Sequence, residues 1–141
     1  MKKILVALAT AFLCLATGFA QAPNCKIQKY ECNDGGILTH ITPSGKWAVI
    51  NLGTSAGGGT AVSQLYDIEQ GVVVPVTYNG RNLGISSVSD DGNVVVGSFS
   101  GRPMAYNRAT GKLTLFPLRQ LWQMGHLDAV TPDGKWAVGF Y

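Results

Sequence analysis

Ser89-Asp90-Asp91-Gly92-Asn93-Val94-Val95-Val96-Gly97 is a tight-turn phrase running into a β-branched stretch, and the chain writes it three times. It occurs earlier as Thr42-Pro43-Ser44-Gly45-Lys46-Trp47-Ala48-Val49-Ile50 and later as Thr131-Pro132-Asp133-Gly134-Lys135-Trp136-Ala137-Val138-Gly139. The glycines Gly45, Gly92 and Gly134 are 47 and 42 residues apart. Upstream the match continues, because Leu38, Ile85 and Leu127 align, as do Ile41, Val88 and Val130. Pro presets φ at the first corner and Gly accepts a positive φ at the last, so each phrase reads as a turn between two strands.

A second block also recurs. Tyr66-Asp67-Ile68-Glu69-Gln70-Gly71-Val72-Val73-Val74 aligns with Tyr106-Asn107-Arg108-Ala109-Thr110-Gly111-Lys112-Leu113-Thr114. The first repeat carries seven more residues than the second between these blocks, assigned to the Gly/Ser-rich loop from Gly53 to Thr60. Four short strands per repeat follow: roughly 37–42, 46–52, 60–69 and 72–78, then 83–89, 93–99, 103–109 and 112–118, with two more at 126–131 and 135–141. Val94-Val95-Val96 does not alternate, as expected of a strand covered on both sheet faces. The fold class expected is all-β, with four-stranded antiparallel units over 37–80 and 83–118 and an incomplete one over 126–141.

Four strands recurring every 40 to 50 residues is the pattern of a β-propeller blade. Ser89 to Ser98, with Ala105-Tyr106 and Thr110-Gly111-Lys112-Leu113, resembles the extracellular HAF-type repeat. Pro132-Asp133-Gly134-Lys135 resembles the turn of TolB-like and WD-like bacterial propellers. Tyr66 and Tyr106 stand beside the place where that family carries an aromatic, often Trp. The resemblance covers residues 37–141 and implies an architecture, a partial propeller of about two and a half blades, rather than an activity. Alignment sets Tyr141 opposite Phe99. The chain is therefore expected to be an N-terminal fragment of a longer protein, or to self-associate through its open edge.

The start of the chain reads differently. Lys2 and Lys3, an apolar run from Ile4 to Leu15, and Gly18-Phe19-Ala20 form the three-part pattern of a signal peptide, residues 1–20. The run is shorter than the roughly 20 residues of a spanning helix, so no membrane anchor is expected. Leu13 before Cys14 is too bulky for a lipobox. Residues 21–36 hold Cys25 and Cys32, an even pair that suggests a disulfide in a secreted or periplasmic chain. With Lys2 and Lys3 removed, nine basic residues face eight acidic ones, which argues against nucleic acid.

Little in the sequence converges on chemistry. Gly53-Thr54-Ser55-Ala56-Gly57 spells G-x-S-x-G, with Asp90 and His126 following in hydrolase order, but that motif needs a helix where Gly57-Gly58-Gly59-Thr60 stands. The same stretch lacks a Gly-Lys-Ser/Thr ending. Asp90, Asp91 and Asp133 read as turn residues rather than calcium ligands. His40 and His126 occupy different repeat positions and read as strand-end residues. Trp47 and Trp136 share a slot expected to pack between sheets, whereas Trp122 sits in a long connection and is the candidate ligand contact. The expected function is an exported, non-catalytic binding or scaffold module without cofactor or metal, engaging an extracytoplasmic protein or glycan. The alternative is the propeller part of a secreted hydrolase or peptidase whose catalytic domain lies elsewhere.

Two outcomes check this reading. Exported protein should begin at Gln21 and carry a Cys25–Cys32 bridge, and Cys32→Ser should cost about 2 kcal/mol. An intact mass that retains Met1, or two freely alkylated thiols, would contradict it.

Overall fold

A computed structural model describes residues 36–52, 62–118 and 124–140. The leader, Cys25, Cys32, Ser55 and Trp122 lie outside the described residues. The chain opens with a four-stranded antiparallel meander: Ile37–Ile41 (β1), Trp47–Asn51 (β2), Ser63–Asp67 (β3) and Val72–Val74 (β4). A two-stranded hairpin follows, Thr77–Tyr78 (β5) with Arg81–Asn82 (β6). The second meander is Gly84–Val88 (β7), Val94–Phe99 (β8), Arg102–Asn107 (β9) and Lys112–Leu115 (β10). His126–Val130 (β11) and Ala137–Phe140 (β12) form a last ladder. Every pairing is antiparallel, no helix occurs among the described residues, and none of these sheets closes on itself. The protein is all-β.

The two meanders share one register. Trp47 pairs with Asp67 and Val49 with Leu65 in the first, as Val94 pairs with Asn107 and Val96 with Ala105 in the second. Leu65 opposes Val74 as Ala105 opposes Thr114. The ladders also slip at corresponding places, between Leu38 and His40, Ile85 and Ser87, and Leu127 and Ala129. A bulge in the same place turns the strand the same way, so sheets carrying it bend alike.

The largest departure from the expected strand boundaries lies at the end of the first meander. A fourth strand over 72–78 stops at Val74, because Pro75 has no N–H to continue the ladder. Beyond it the hairpin β5–β6 turns on Asn79 and Gly80, at φ 50° and 73°. Asn-Gly supplies the two positive φ values of a type I′ turn, a signal legible in the sequence but missed there. Ser100 and Gly101, at φ 52° and 74°, make the comparable turn between β8 and β9.

The core lies between the two meanders. Val49 and Leu65 from the first pack with Ile85, Val88, Val95 and Met104 from the second, all at most 2% exposed. Val76 and Leu83, flanking the small hairpin, join them, and Tyr78 meets Phe99 and Tyr106 edge-on at 6.1 and 6.4 Å. Each such aliphatic side chain gains about 1.5 to 3 kcal/mol from burial. β8 is covered on both faces: Val95 belongs to this core, whereas Val94 and Val96 face β11 and β12.

Above the core, Trp47 lies flat against the turn of the second meander. A Cβ built on Gly92 would fall 2.5 Å from Cζ2 and Nε1 of Trp47, and Gly92 sits at φ 73°. Gly111, at φ 68°, has nothing within 4 Å of its would-be Cβ. Gly111→Ala should therefore cost only the left-handed backbone penalty of about 1 to 2 kcal/mol. Gly92→Ala should lose about 1 to 3 kcal/mol more, because Trp47 must also move. Urea unfolding of the two variants measures the difference, and equal losses would remove the packing argument.

Candidate functional site

The polar side chains of the described residues gather at the turns, and each turn is wired alike. The N–H groups of Thr42, Ser89 and Thr131 donate to the carbonyls of Trp47, Val94 and Trp136 at 3.0, 2.9 and 2.8 Å. The return N–H groups of Trp47, Val94 and Trp136 donate to the hydroxyls of Thr42, Ser89 and Thr131 at 3.1, 2.9 and 3.1 Å. Gly45, Gly92 and Gly134, at φ 69°, 73° and 71°, donate back to the carbonyls of the same Thr or Ser. A hydroxyl at the turn's first position thus closes the loop from within, the local side-chain bonding that favours Ser, Thr and Asp in turns.

The acidic residues complete these turns. Asp91 accepts from the Ser89 hydroxyl at 2.6 Å and the Asn93 N–H at 2.9 Å, and Asp133 accepts from the Thr131 hydroxyl at 2.6 Å and the Lys135 N–H at 3.1 Å. Those bonds hold both carboxyls below their ordinary value of 3.8, the hydroxyl first and the backbone amide second. Asp90 reaches out of its own turn. It accepts from the Ser44 N–H at 2.9 Å, which lowers its pKa, and its own N–H donates to the Pro132 carbonyl at 2.9 Å. One residue thereby links three successive turns.

Arg108 completes the joint between the meanders. Its guanidinium lies 5.0 Å from the Trp47 ring centroid, and one amino group donates to the Gly92 carbonyl at 2.5 Å. Burial pushes this guanidinium below its ordinary value, against the opposing pull of Tyr106, Asp67 and Asp91. A cation over an indole face is held by the ring quadrupole. Deeper in, the buried Ser87 hydroxyl accepts from the Val130 N–H at 3.3 Å and lies 3.5 Å from His40 Nε2.

Along the other face of the second meander runs an apolar groove of about 800 Å³. Pro103, Ala105, Phe116 and Leu118 line it from the second meander and the residues after it, and 134–139 line it from the last turn and β12. Trp136 does not pack between sheets as Trp47 does: it is 74% exposed. Trp122 falls outside the described residues, in the connection that follows Leu118.

The hydrolase-order residues are tied up separately. Asp90 holds the Ser44 amide, whereas His126 Nε2 bonds Asp128 at 2.6 Å and its ring meets Phe140 at 4.3 Å. Among the described residues, no group of three or more His, Cys, Asp and Glu is placed to hold a metal ion, and no buried side-chain N or O lacks a hydrogen-bond partner. Sequence reading missed Arg108. Its signal was the Trp47–Arg108 pairing across two repeats, which only the register brings together. Compared with protein-family models and with curated proteins, the chain matches none.

A pH test follows from the turn carboxylates. Because Asp91 has a lowered pKa in the folded state, its contribution is complete above the ordinary carboxylate value and disappears as pH falls through the folded one. Asp91→Ala should lower the melting temperature at pH 7, and the gap to the parent should narrow below about pH 4. Thermal melts across pH 2 to 7 decide it, and a gap independent of pH would overturn the role given to this carboxylate.

Proposed function

We propose that this chain is an arc of β-propeller blades, exported and serving without catalysis as a binding or scaffold module. The observation that carries the reading is the shared register of the two meanders, with bulges at corresponding places in all three ladders. Successive four-stranded meanders stacked face on face are how propellers arrange their blades. The likeness of the Ser89–Ser98 phrase to HAF-type repeats agrees with it, and the pattern of residues 1–20 supports export.

A non-catalytic role is supported by how the titratable groups are spent. Asp90, Asp91 and Asp133 hold turn amides and hydroxyls, and Arg108 bridges a joint. The groove is the face suited to an extracytoplasmic protein or glycan, and Trp122, by its place in the sequence between β10 and β11, is the candidate ligand contact.

The test is expression of the full chain in a bacterial host, followed by fractionation and assay against ester and peptide substrates. Leader-dependent export with no turnover is the expected result. Retention in the cytoplasm, or turnover abolished by Ser55→Ala, would replace this reading with another.

A further inference from the structure

Each joint between sheets in this chain is made by the same two surfaces. The leading surface is the residue just past the turn and the one two places on: Trp47 and Val49 in the first sheet, Val94 and Val96 in the second. The receiving surface is an apolar pair on the next sheet's first strand, with its turn glycine. Ile85, Val88 and Gly92 receive the first joint, and Leu127, Val130 and Gly134 the second. Val49, Ile85, Val88 and Val96 are all at most 2% exposed. Gly92 lies under Trp47, and a Cβ on Gly134 would fall 2.9 Å from Val94 Cγ2. The positive φ of the turn makes this residue glycine, and the leading side chain rests on the bare position.

Both surfaces occur once more among the described residues, and both are uncovered. Trp136 and Val138 repeat the leading pair and are 74% and 65% exposed. Leu38 and Ile41 repeat the receiving pair and are 58% and 53% exposed, and a Cβ on Gly45 would meet nothing within 4 Å. Contiguous exposed apolar side chains of this size mark association surfaces. Their equivalents are already mated twice within the chain.

We propose that the β11–β12 face of one copy docks on the β1 face of a second copy, with Trp136 resting on the Gly45 turn as Trp47 rests on Gly92. The occupant is a second copy because this chain's own β1 face carries the receiving pattern outside the internal joints. Ile68 stands where Arg108 stands in the first joint: the N–H of Ile68 donates to Lys46 as that of Arg108 donates to Asn93. The intermolecular joint is accordingly apolar, with Ile68 rather than a cation near the tryptophan. Two different patches meet, so the contact is heterologous and propagates from copy to copy until it closes into a ring or runs on as a filament. The inference rests on sheet packing alone and uses neither the export nor the binding reading.

The experiment is sedimentation velocity on the full chain, expressed with its own leader and recovered after any processing, alongside two variants. Trp136→Lys blocks the leading surface. Gly45→Asn blocks the receiving surface and keeps the turn, since Asn accepts a positive φ. Val138→Lys and Leu38→Lys repeat the two blocks at other exposed positions. The parent should form concentration-dependent oligomers, each blocked variant should sediment as a monomer, and an equimolar mixture of one leading-blocked and one receiving-blocked variant should give a dimer and nothing larger. A parent that stays monomeric at about 100 µM overturns the proposal. So does loss of association only in the leading-surface variants, which marks a symmetric contact, or association that survives both blocks.

Discussion

Trp47 lying on the bare Gly92 turn, with the Arg108 guanidinium 5.0 Å from its ring centroid, is the contact that fixes how the first meander meets the second. The indole needs a flat seat, and only a residue without a Cβ provides one at that distance. Arg108 then ties the seat to the ring, donating to the Gly92 carbonyl while its charge faces the indole. Beneath this clamp Val49, Leu65, Ile85, Val88 and Met104 pack into the core between the meanders.

The turns make that clamp repeatable. A Thr or Ser hydroxyl accepts the returning N–H, a left-handed glycine answers the carbonyl, and in two of the three turns an aspartate caps the hydroxyl. These bonds are local and would form in any setting that kept the hairpin. What is not local is Asp90, whose side chain and backbone serve different neighbouring turns. Proline occupies the corresponding position in the other two phrases and could supply neither the N–H nor the carboxylate, so the middle turn alone is built to be bonded on both sides.

The same joint is used twice among the described residues, and its two surfaces each occur once more without a partner sheet. At interior positions the leading and receiving residues disappear into cores, whereas Trp136, Val138, Leu38 and Ile41 carry the same chemistry into solvent. The groove lined by Pro103 and Ala105 also has Trp136 among its lining residues. The groove proposed for binding and the face proposed for docking therefore share neighbouring surface.

The sequence by itself determined the strands and their turns. Thr42-Pro43-Ser44-Gly45, Ser89-Asp90-Asp91-Gly92 and Thr131-Pro132-Asp133-Gly134 specify hairpins because their constraints lie within five residues: a hydroxyl, a corner and a positive φ. Asn79-Gly80 was equally legible and marks a hairpin by the same physics. The end of β4 at Val74 was written in Pro75. Only the tertiary structure decided which of two equivalent tryptophans is covered. Trp47 and Trp136 sit in matching phrases with Lys before and Ala-Val after, so no local rule separates them. One has a glycine turn and an arginine from the next meander against it, the other is exposed, and that difference is set by contacts 45 or more residues away in the chain rather than by the residue itself.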